Sequence, residues 1–137
     1  MTWLHAHFSR DLAIHGIFSF DPEANGTSLA LTHGYVVERG EIFGLKAGQG
    51  QSIRSSDRFA KEVSLQLVDR ADRSWELTAE ALTSFPWQCW ANMISFNALG
   101  KWQMNGMTGY GEIQDFFELP QLTRLNASSA THVAAAA

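Results

Sequence analysis

The chain has 137 residues and a formal net charge of -4. Its ten Lys and Arg residues are scattered, which argues against a nucleic-acid surface because phosphate binding needs a concentrated basic patch. A domain of this length can bury about two-thirds of its unfolded surface, and the single cysteine, Cys89, excludes an intramolecular disulfide.

The first half of the chain consists of strand-like segments separated by turn formers. WLHAHFS and LAIHGIFSF flank the polar pair Arg10-Asp11, and the loop DPEANG precedes SLALTHGYVVE. Arg39-Gly40 lies between two apolar runs and predicts a hairpin, because Gly can adopt the positive φ of a tight turn. Residues 46–58 are rich in Gly, Ser and Gln, and predict either a short irregular strand or a mobile loop at a rim.

The second half alternates apolar and polar residues, which is the primary signal for strands. KEVSLQLVD and RSWELTAEA surround the polar turn DRADRS, and Leu99-Gly100-Lys101 predicts a further bend between WQCWANMISF and KWQMNG. After Pro120 the pattern is lost, which predicts a frayed tail or a short helix. The expected buried residues are Val63, Leu65, Leu67, Leu77, Ala79 and Ile94.

These segments predict an all-β fold: an antiparallel β-barrel of about eight strands over residues 3–119, followed by a C-terminal tail at 120–137. Closure into a barrel hides the edges of the sheet and its apolar face. The N-terminus lacks the pattern of a signal peptide, and no segment approaches the roughly 20 apolar residues of a membrane span. We therefore expect a soluble cytoplasmic protein that contacts neither membrane nor nucleic acid.

Large aromatic residues are concentrated late in the chain. Trp87, Trp90 and Trp102 are candidates for lining a pocket that holds a flat apolar ligand, with His33 as a further ligand contact. Strict alternation would put Trp87 and Trp90 on opposite faces of their strand. The alternative is that these rings form the barrel core and a dimer contact.

The segment GYGEIQDFFEL supplies the candidate catalytic residues. Tyr110 and Glu112 share one face of the strand, and Asp115 lies on the other. A carboxylate that faced the interior would be desolvated, its pKa would rise, and it could act as an acid near neutral pH. Alternatively, Glu112 faces solvent. Gly109 and Gly111 would let another backbone come close, as expected where a barrel closes.

His5 and His7 are two residues apart and therefore share a face, which is one arrangement of metal ligands on a strand. No Cys or carboxylate stands at a convincing spacing to complete such a site, so we predict surface histidines and no bound metal. Cys89 has no base nearby in sequence and is expected to be an inert buried thiol.

Three segments, THGYVVERGEIFGL, SLQLVDRADRSWELTAEA and GYGEIQDFFEL, resemble the C-terminal half of the lipocalin-like superfamily that includes the hydroxyneurosporene synthase (carotenoid hydratase) family. The resembling motifs are a glycine and turn pattern from Gly34 to Glu41, an x-D-x-x-x-R-x-W hairpin, and the Gly-Tyr-Gly close. The resemblance implies a lipocalin-like barrel and proton-driven chemistry on a terpenoid- or polyketide-like substrate. The chain contains only one of the two halves of such proteins, which predicts a homodimer.

Three functions remain open at this point. The first is an enzyme of the lyase, isomerase or cyclase type that works on an apolar small molecule without a cofactor, with Glu112, Tyr110 and Asp115 as its acid–base groups. The second is a non-catalytic binding protein for a similar ligand. The third is an interaction domain with a solid core, favoured if no cavity reaches about 300 Å³.

Overall fold

The computed structural model describes residues 1–21 and 27–136, with side chains described as far as residue 130. Eight antiparallel strands, β1 to β8, form a closed barrel in which each strand lies beside its sequence neighbour and β8 pairs with β1. The predicted all-β barrel is confirmed. Its elements are β1 Thr2–Ser9, β2 Leu12–Ser19, β3 Ser28–Glu38, β4 Glu41–Arg54, β5 Ala60–Asp69, β6 Ser74–Trp90, β7 Met93–Met104, β8 Met107–Glu118 and the helix α1 Leu119–Ala136.

Two hairpin turns use backbone conformations that suit the twist of the strands. Arg39 and Gly40 have φ values of 51° and 82°, and Asn105 and Gly106 have 49° and 76°. Positive φ at both central residues is the requirement of a type I′ turn. The hairpin predicted at Arg39-Gly40 is therefore confirmed, and the polar turn between β5 and β6 also forms, with Asp72 at a φ of 62°.

The bend predicted at Leu99-Gly100-Lys101 is wrong, because β7 runs through these residues without interruption. A Cβ atom on Gly100 would lie 3.1 Å from Nε1 of Trp102 and 3.3 Å from Cδ1 of Ile113. The glycine therefore makes room for core side chains and does not form a turn.

Residues 46–54 belong to strand β4, whose pairing with β5 is irregular between Leu45 and Ala47 and between Ile53 and Arg54. Of the two expected alternatives, the irregular strand therefore forms, and a turn follows Arg54. Gly48 and Gly50 alternate with Gln49 and Gln51 along this strand. A Cβ atom on Gly50 would lie 2.3 Å from the backbone oxygen of Ser64. Small residues at these positions let β4 and β5 approach closely. Of the predicted loop DPEANG, residues 22–26 lie outside the described residues.

Glycines also allow the barrel to close. A Cβ atom on Gly111 would lie 1.6 Å from the backbone oxygen of His5, and one on Gly109 would lie 2.4 Å from that of His7. Both contacts join β8 to β1, the pair that closes the barrel. The expectation that these two glycines mark a closure point is confirmed.

Apolar side chains fill the barrel. Of the residues expected to be buried, Val63, Leu65, Leu67, Leu77 and Ala79 are buried, whereas Ile94 is only half-buried. The largest fully buried side chains are Trp102, Phe18, Leu67, Leu77 and Met104. An eight-stranded barrel has an interior just wide enough for side chains to fill it, and this one follows that rule.

The helix α1 begins directly after β8, so of the two alternatives for the tail it is the helix that forms. Its Leu122 is buried, and Arg58 Nη2 donates to Oδ1 of Asn126 at 3.1 Å. These contacts hold the first half of α1 against one end of the barrel. Among the described residues, no helix is both long and apolar enough to cross a membrane.

Candidate interaction surface

The barrel interior leaves very little free space. The cavity lined by core residues such as Phe18, Leu65 and Trp102 has a volume of about 10 Å³, whereas sites for small molecules usually measure roughly 300–1,000 Å³. Trp102 is a core residue at 0% exposure, and its indole Nε1 has no hydrogen-bond partner in the described part of the chain. The Trp102 ring therefore fills part of the interior where a ligand pocket was predicted.

Asp115 is fully buried inside the barrel and holds three strands together. Its Oδ1 accepts a hydrogen bond from Thr2 Oγ1 at 2.5 Å, and Arg54 donates to both carboxylate oxygens, at 2.7 and 3.1 Å. The guanidinium of Arg54 also lies 4.6 Å from the centre of the Phe20 ring. The carboxylate of Asp115 thus joins β1, β4 and β8, and both of its oxygens already have hydrogen-bond partners.

Glu112 and Tyr110 both lie on the outer face of β8, where they are exposed. Glu112 Oε2 accepts a hydrogen bond from Gln114 Nε2 at 2.7 Å. Of the two orientations considered for Glu112, facing the interior or facing solvent, the structure shows the second. The interior does not desolvate this carboxylate, and Asp115 is separated from it by the sheet.

Histidines cluster on the outer face of β1 and β2. The ring centres of His5 and His7 are 4.4 Å apart, and those of His5 and His15 are 5.5 Å apart. Burial and the neighbouring His7 lower the pKa of His5, and burial and the neighbouring His5 lower the pKa of His15. His33 lies exposed on β3, on the same outer surface. No three His, Cys, Asp or Glu side chains in the described ranges are arranged to hold a metal ion.

The strand β6 is much longer than its pairing with β5. The last pair between them is Glu62 with Glu80, and β6 then continues to Trp90 with β7 as its only partner among the strands that the structure describes. The ladder with β7 is irregular at two places, between Ala81 and Thr83 and between Trp87 and Trp90. Each irregularity inserts an extra residue into β6 and changes which side chains face outward.

The second bulge overturns the expectation that Trp87 and Trp90 face opposite ways. Trp87 pairs with Ser95 and Trp90 pairs with Met93, two residues on one face of β7. Because directly paired residues point to the same side of a sheet, both tryptophans lie on the outer face.

The outer surface of this end of the barrel is rich in exposed apolar side chains. Successive pairs place Trp3, Gln114, Asn97 and Phe85 in one row across β1, β8, β7 and β6. The next row contains Phe116, Ser95 and Trp87. We name this surface the aromatic face, and its exposed members are Trp3 (37% exposed), Phe85 (55%), Trp87 (54%), Trp90 (58%) and Leu99 (40%).

The centre of the aromatic face is packed and uncharged. Phe116 faces outward yet is only 8% exposed, because its ring lies 5.2 Å from that of Trp3 and 6.4 Å from that of Trp90. Between the rings, the buried Ser95 Oγ donates to Oδ1 of Asn97 at 2.6 Å. Trp3, Phe116 and Trp90 therefore pack against one another above a floor of small polar groups.

Cys89 is half-buried beside this surface and donates from Sγ to the backbone oxygen of Met93 at 3.7 Å.

The sequence pointed to Trp87 and Trp90 of the aromatic face but not to their common orientation. It also missed Trp3 and Phe85 as members. One local feature indicates an unpaired end: the segment from Ser74 to Trp90 has 17 residues, which is longer than either neighbouring strand.

Fold and surface together define the class: an up-and-down β-barrel with a filled interior and an exposed aromatic outer face. Comparisons with protein-family models, with curated proteins and with solved structures found no match for this chain. The resemblance to the hydroxyneurosporene synthase superfamily therefore stays a prediction. The x-D-x-x-x-R-x-W motif of that resemblance forms a hydrogen-bonded turn in this chain, far from the aromatic face.

Proposed function

We propose that the chain is an interaction domain with a solid core that forms a homodimer through its aromatic face. One observation carries the proposal. The barrel interior is filled to about 10 Å³, while five large apolar side chains stand exposed together on one outer surface. A soluble domain gains stability when it covers such a surface, because each apolar group removed from water lowers the free energy.

The size of the aromatic face suits a protein partner. Large aromatic side chains can bury 150–250 Å² each, so the exposed parts of these five residues amount to on the order of 500 Å² of apolar area. A standard interface covers about 800 Å² on each partner, with a polar rim around an apolar centre. The aromatic face supplies the centre, and neighbouring polar side chains of β1 and β8 supply the rim.

A second copy of the chain is the partner that fits this composition. In a twofold dimer the same surface appears on both sides, so it must complement itself. Tryptophan and phenylalanine rings do so readily, because offset and edge-to-face contacts form between identical residues. Ser95, Asn97 and Gln114 are uncharged, so the centre of the interface brings no like charges together. Glu112 and Glu118 lie in the rows beside it, toward the rim.

The acid–base enzyme stays a prediction, as does a carrier for an apolar ligand. Both would need space that the described interior lacks, unless two copies form a pocket between them. Mass spectrometry of the protein as purified from cells tests this directly, because a terpenoid- or polyketide-like molecule held between the copies would be carried through purification. The cytoplasmic location is likewise a prediction.

Sedimentation velocity over a range of protein concentrations tests the dimer. We expect a dimer at micromolar concentration, and we expect Trp87→Ala and Trp90→Ala each to weaken it by about tenfold or more, as truncation of interface hot spots does. Ile42→Ala is the matched control, because Ile42 is 71% exposed on β4, outside the aromatic face. A monomer at all concentrations, or equal weakening by Ile42→Ala, would overturn the proposal.

A further inference from the structure

A long open groove, lined by both polar and apolar groups, runs across the outer surface of β4, β5, β6 and β7, outside the aromatic face. It consists of two adjoining depressions with volumes of about 670 and 370 Å³, and four residues line both of them. These shared residues are Gln51, Ser64, Thr78 and Gln103. The volumes fall within the range of small-molecule sites, although the groove is open to solvent along its length.

The sequence of β4 explains where this groove forms. Its inward positions are Gly48 and Gly50, and a Cβ atom at either would clash with β5 side chains or backbone. The glycines let β4 and β5 approach closely, while the alternate residues Gln49 and Gln51 line the groove on the outer surface. The glycine- and glutamine-rich segment thereby supplies part of the lining of this groove.

The lining is uncharged along the middle of the groove and rich in groups that both donate and accept hydrogen bonds. Amides come from Gln49, Gln51, Gln66, Gln103 and Asn105, and hydroxyls from Ser64 and Thr78. Gln51, Ser64 and Thr78 make no side-chain hydrogen bond within the described residues, and Gln49 reaches Gln66 only at 3.3 Å. Gln103 is bonded to Thr108 Oγ1 through its amide, at 3.0 and 3.2 Å, so the free hydrogen-bonding capacity of the groove comes mainly from Gln51, Ser64 and Thr78.

Several ligand classes do not match this lining. Nucleic acid is disfavoured because Glu62, Glu76 and Glu80 line the two depressions with only Lys101 to oppose them. A peptide strand finds no free edge, since β5 is paired on both sides along the groove. An apolar molecule would leave the amides desolvated and unpaired. A neutral molecule rich in hydroxyl groups matches, because each hydroxyl can donate to one amide and accept from another.

We propose that this groove binds a neutral carbohydrate chain. The inference is independent of the homodimer, because it uses the outer surface of β4 to β7 and no residue of the aromatic face.

The experiment is a titration of the ¹⁵N-labelled full chain with cellotetraose and, separately, with maltotetraose, followed by backbone amide shifts. We expect one of the two to shift the amides of Gln51, Ser64 and Gln103 at up to about 5 mM, the range of weak binding. The double variant Gln51→Ala/Gln103→Ala should weaken that binding by about tenfold or more, since two amide partners are lost. Thr78→Val removes one hydroxyl while keeping the shape of the side chain, and should weaken binding less.

Gln88→Ala is the matched control, because Gln88 is an exposed glutamine on β6 that lines neither depression. It should bind as the unmodified chain does. Unchanged amide shifts with both sugars would overturn the proposal, as would binding that the double variant leaves intact. Shifts confined to the aromatic face would overturn it as well.

Discussion

Asp69 accepts a hydrogen bond from the indole Nε1 of Trp75 at 3.0 Å, and neither side chain is more than 8% exposed. The same carboxylate accepts bonds from the backbone N–H groups of Ala71 and Arg73 and from Arg73 Nε. The Arg73 guanidinium then pairs with Glu38 of the neighbouring hairpin at 2.6 Å. One buried acid therefore organises the turn between β5 and β6 and connects it to the end of β3.

Replacing Asp69 tests this role. We expect Asp69→Asn to lower the free energy of unfolding by about 2 kcal/mol, because the substitution removes the charge that strengthens four hydrogen bonds and forces an NH₂ group against two N–H donors. Urea unfolding followed by tryptophan fluorescence measures the change. Asp72→Asn, an exposed residue of the same turn, is the control and should be close to neutral.

Acidification should destabilise the barrel in two separate ranges. Burial and neighbouring histidines lower the pKa values of His5 and His15 below 6.5. The unfolded chain therefore binds protons first as the pH falls through about 6.5, and stability decreases from there. Burial alone would raise the pKa of Asp69, but its hydrogen bonds outweigh burial and lower the pKa below 3.8, so its contribution is lost at much lower pH.

The measurement is the urea midpoint at about pH 7.5 and about pH 5.5, on either side of the ordinary histidine pKa. The double variant His5→Gln/His15→Gln should lose most of the difference between the two midpoints. His33→Gln is the comparison variant and should keep most of the difference, since His33 is exposed and is the smallest of the three causes that lower the pKa of His15. An equal pH dependence in all three proteins would mean that other groups cause it.

Gly111→Ala should be among the most damaging single substitutions in the chain. The added methyl group would lie 1.6 Å from the backbone oxygen of His5, so β8 and β1 would have to separate where they close the barrel. We expect a loss of about 3 kcal/mol or more, or failure to fold. Gly44→Ala is the matched control, because its methyl group meets only the flexible side chain of Arg70, at 3.3 Å.

Alternation along the chain was sufficient to predict the strands and the barrel, since Val63, Leu65 and Leu67 must share one face of β5. It could not reveal that the interior is filled, because this depends on how Phe18 and Trp102 meet across the barrel. It also failed wherever the period of two is broken. The bulge between Trp87 and Trp90 is an insertion in one strand relative to its partner, and a single sequence carries no information on register.

The Arg54–Asp115 pair should be costly to break on one side only. Arg54→Met leaves Asp115 buried without its cationic partner, and we expect a loss of about 3 kcal/mol in the free energy of unfolding. Adding Asp115→Leu to that variant should recover part of the loss, because an apolar pair of similar size needs no compensating charge. Urea midpoints of the single and double variants measure this. A double variant less stable than Arg54→Met would show that Asp115 contributes through Thr2 instead.

Pro86 lies in the part of β6 that pairs only with β7, where it is opposite Phe96. A strand edge left open in this way is a template for pairing with other chains, and proline blunts it because proline has no N–H to donate. A proline at this position therefore opposes the addition of further strands at the open edge.

Pro86→Thr restores the N–H group and adds a residue that favours strands. We therefore expect species larger than a dimer in sedimentation velocity, with thioflavin T fluorescence that increases with protein concentration. Ser84→Thr is the control: it raises strand propensity two residues away on the same strand but adds no donor. If both variants remain in the same state as the unmodified chain, the open edge is protected by something other than Pro86.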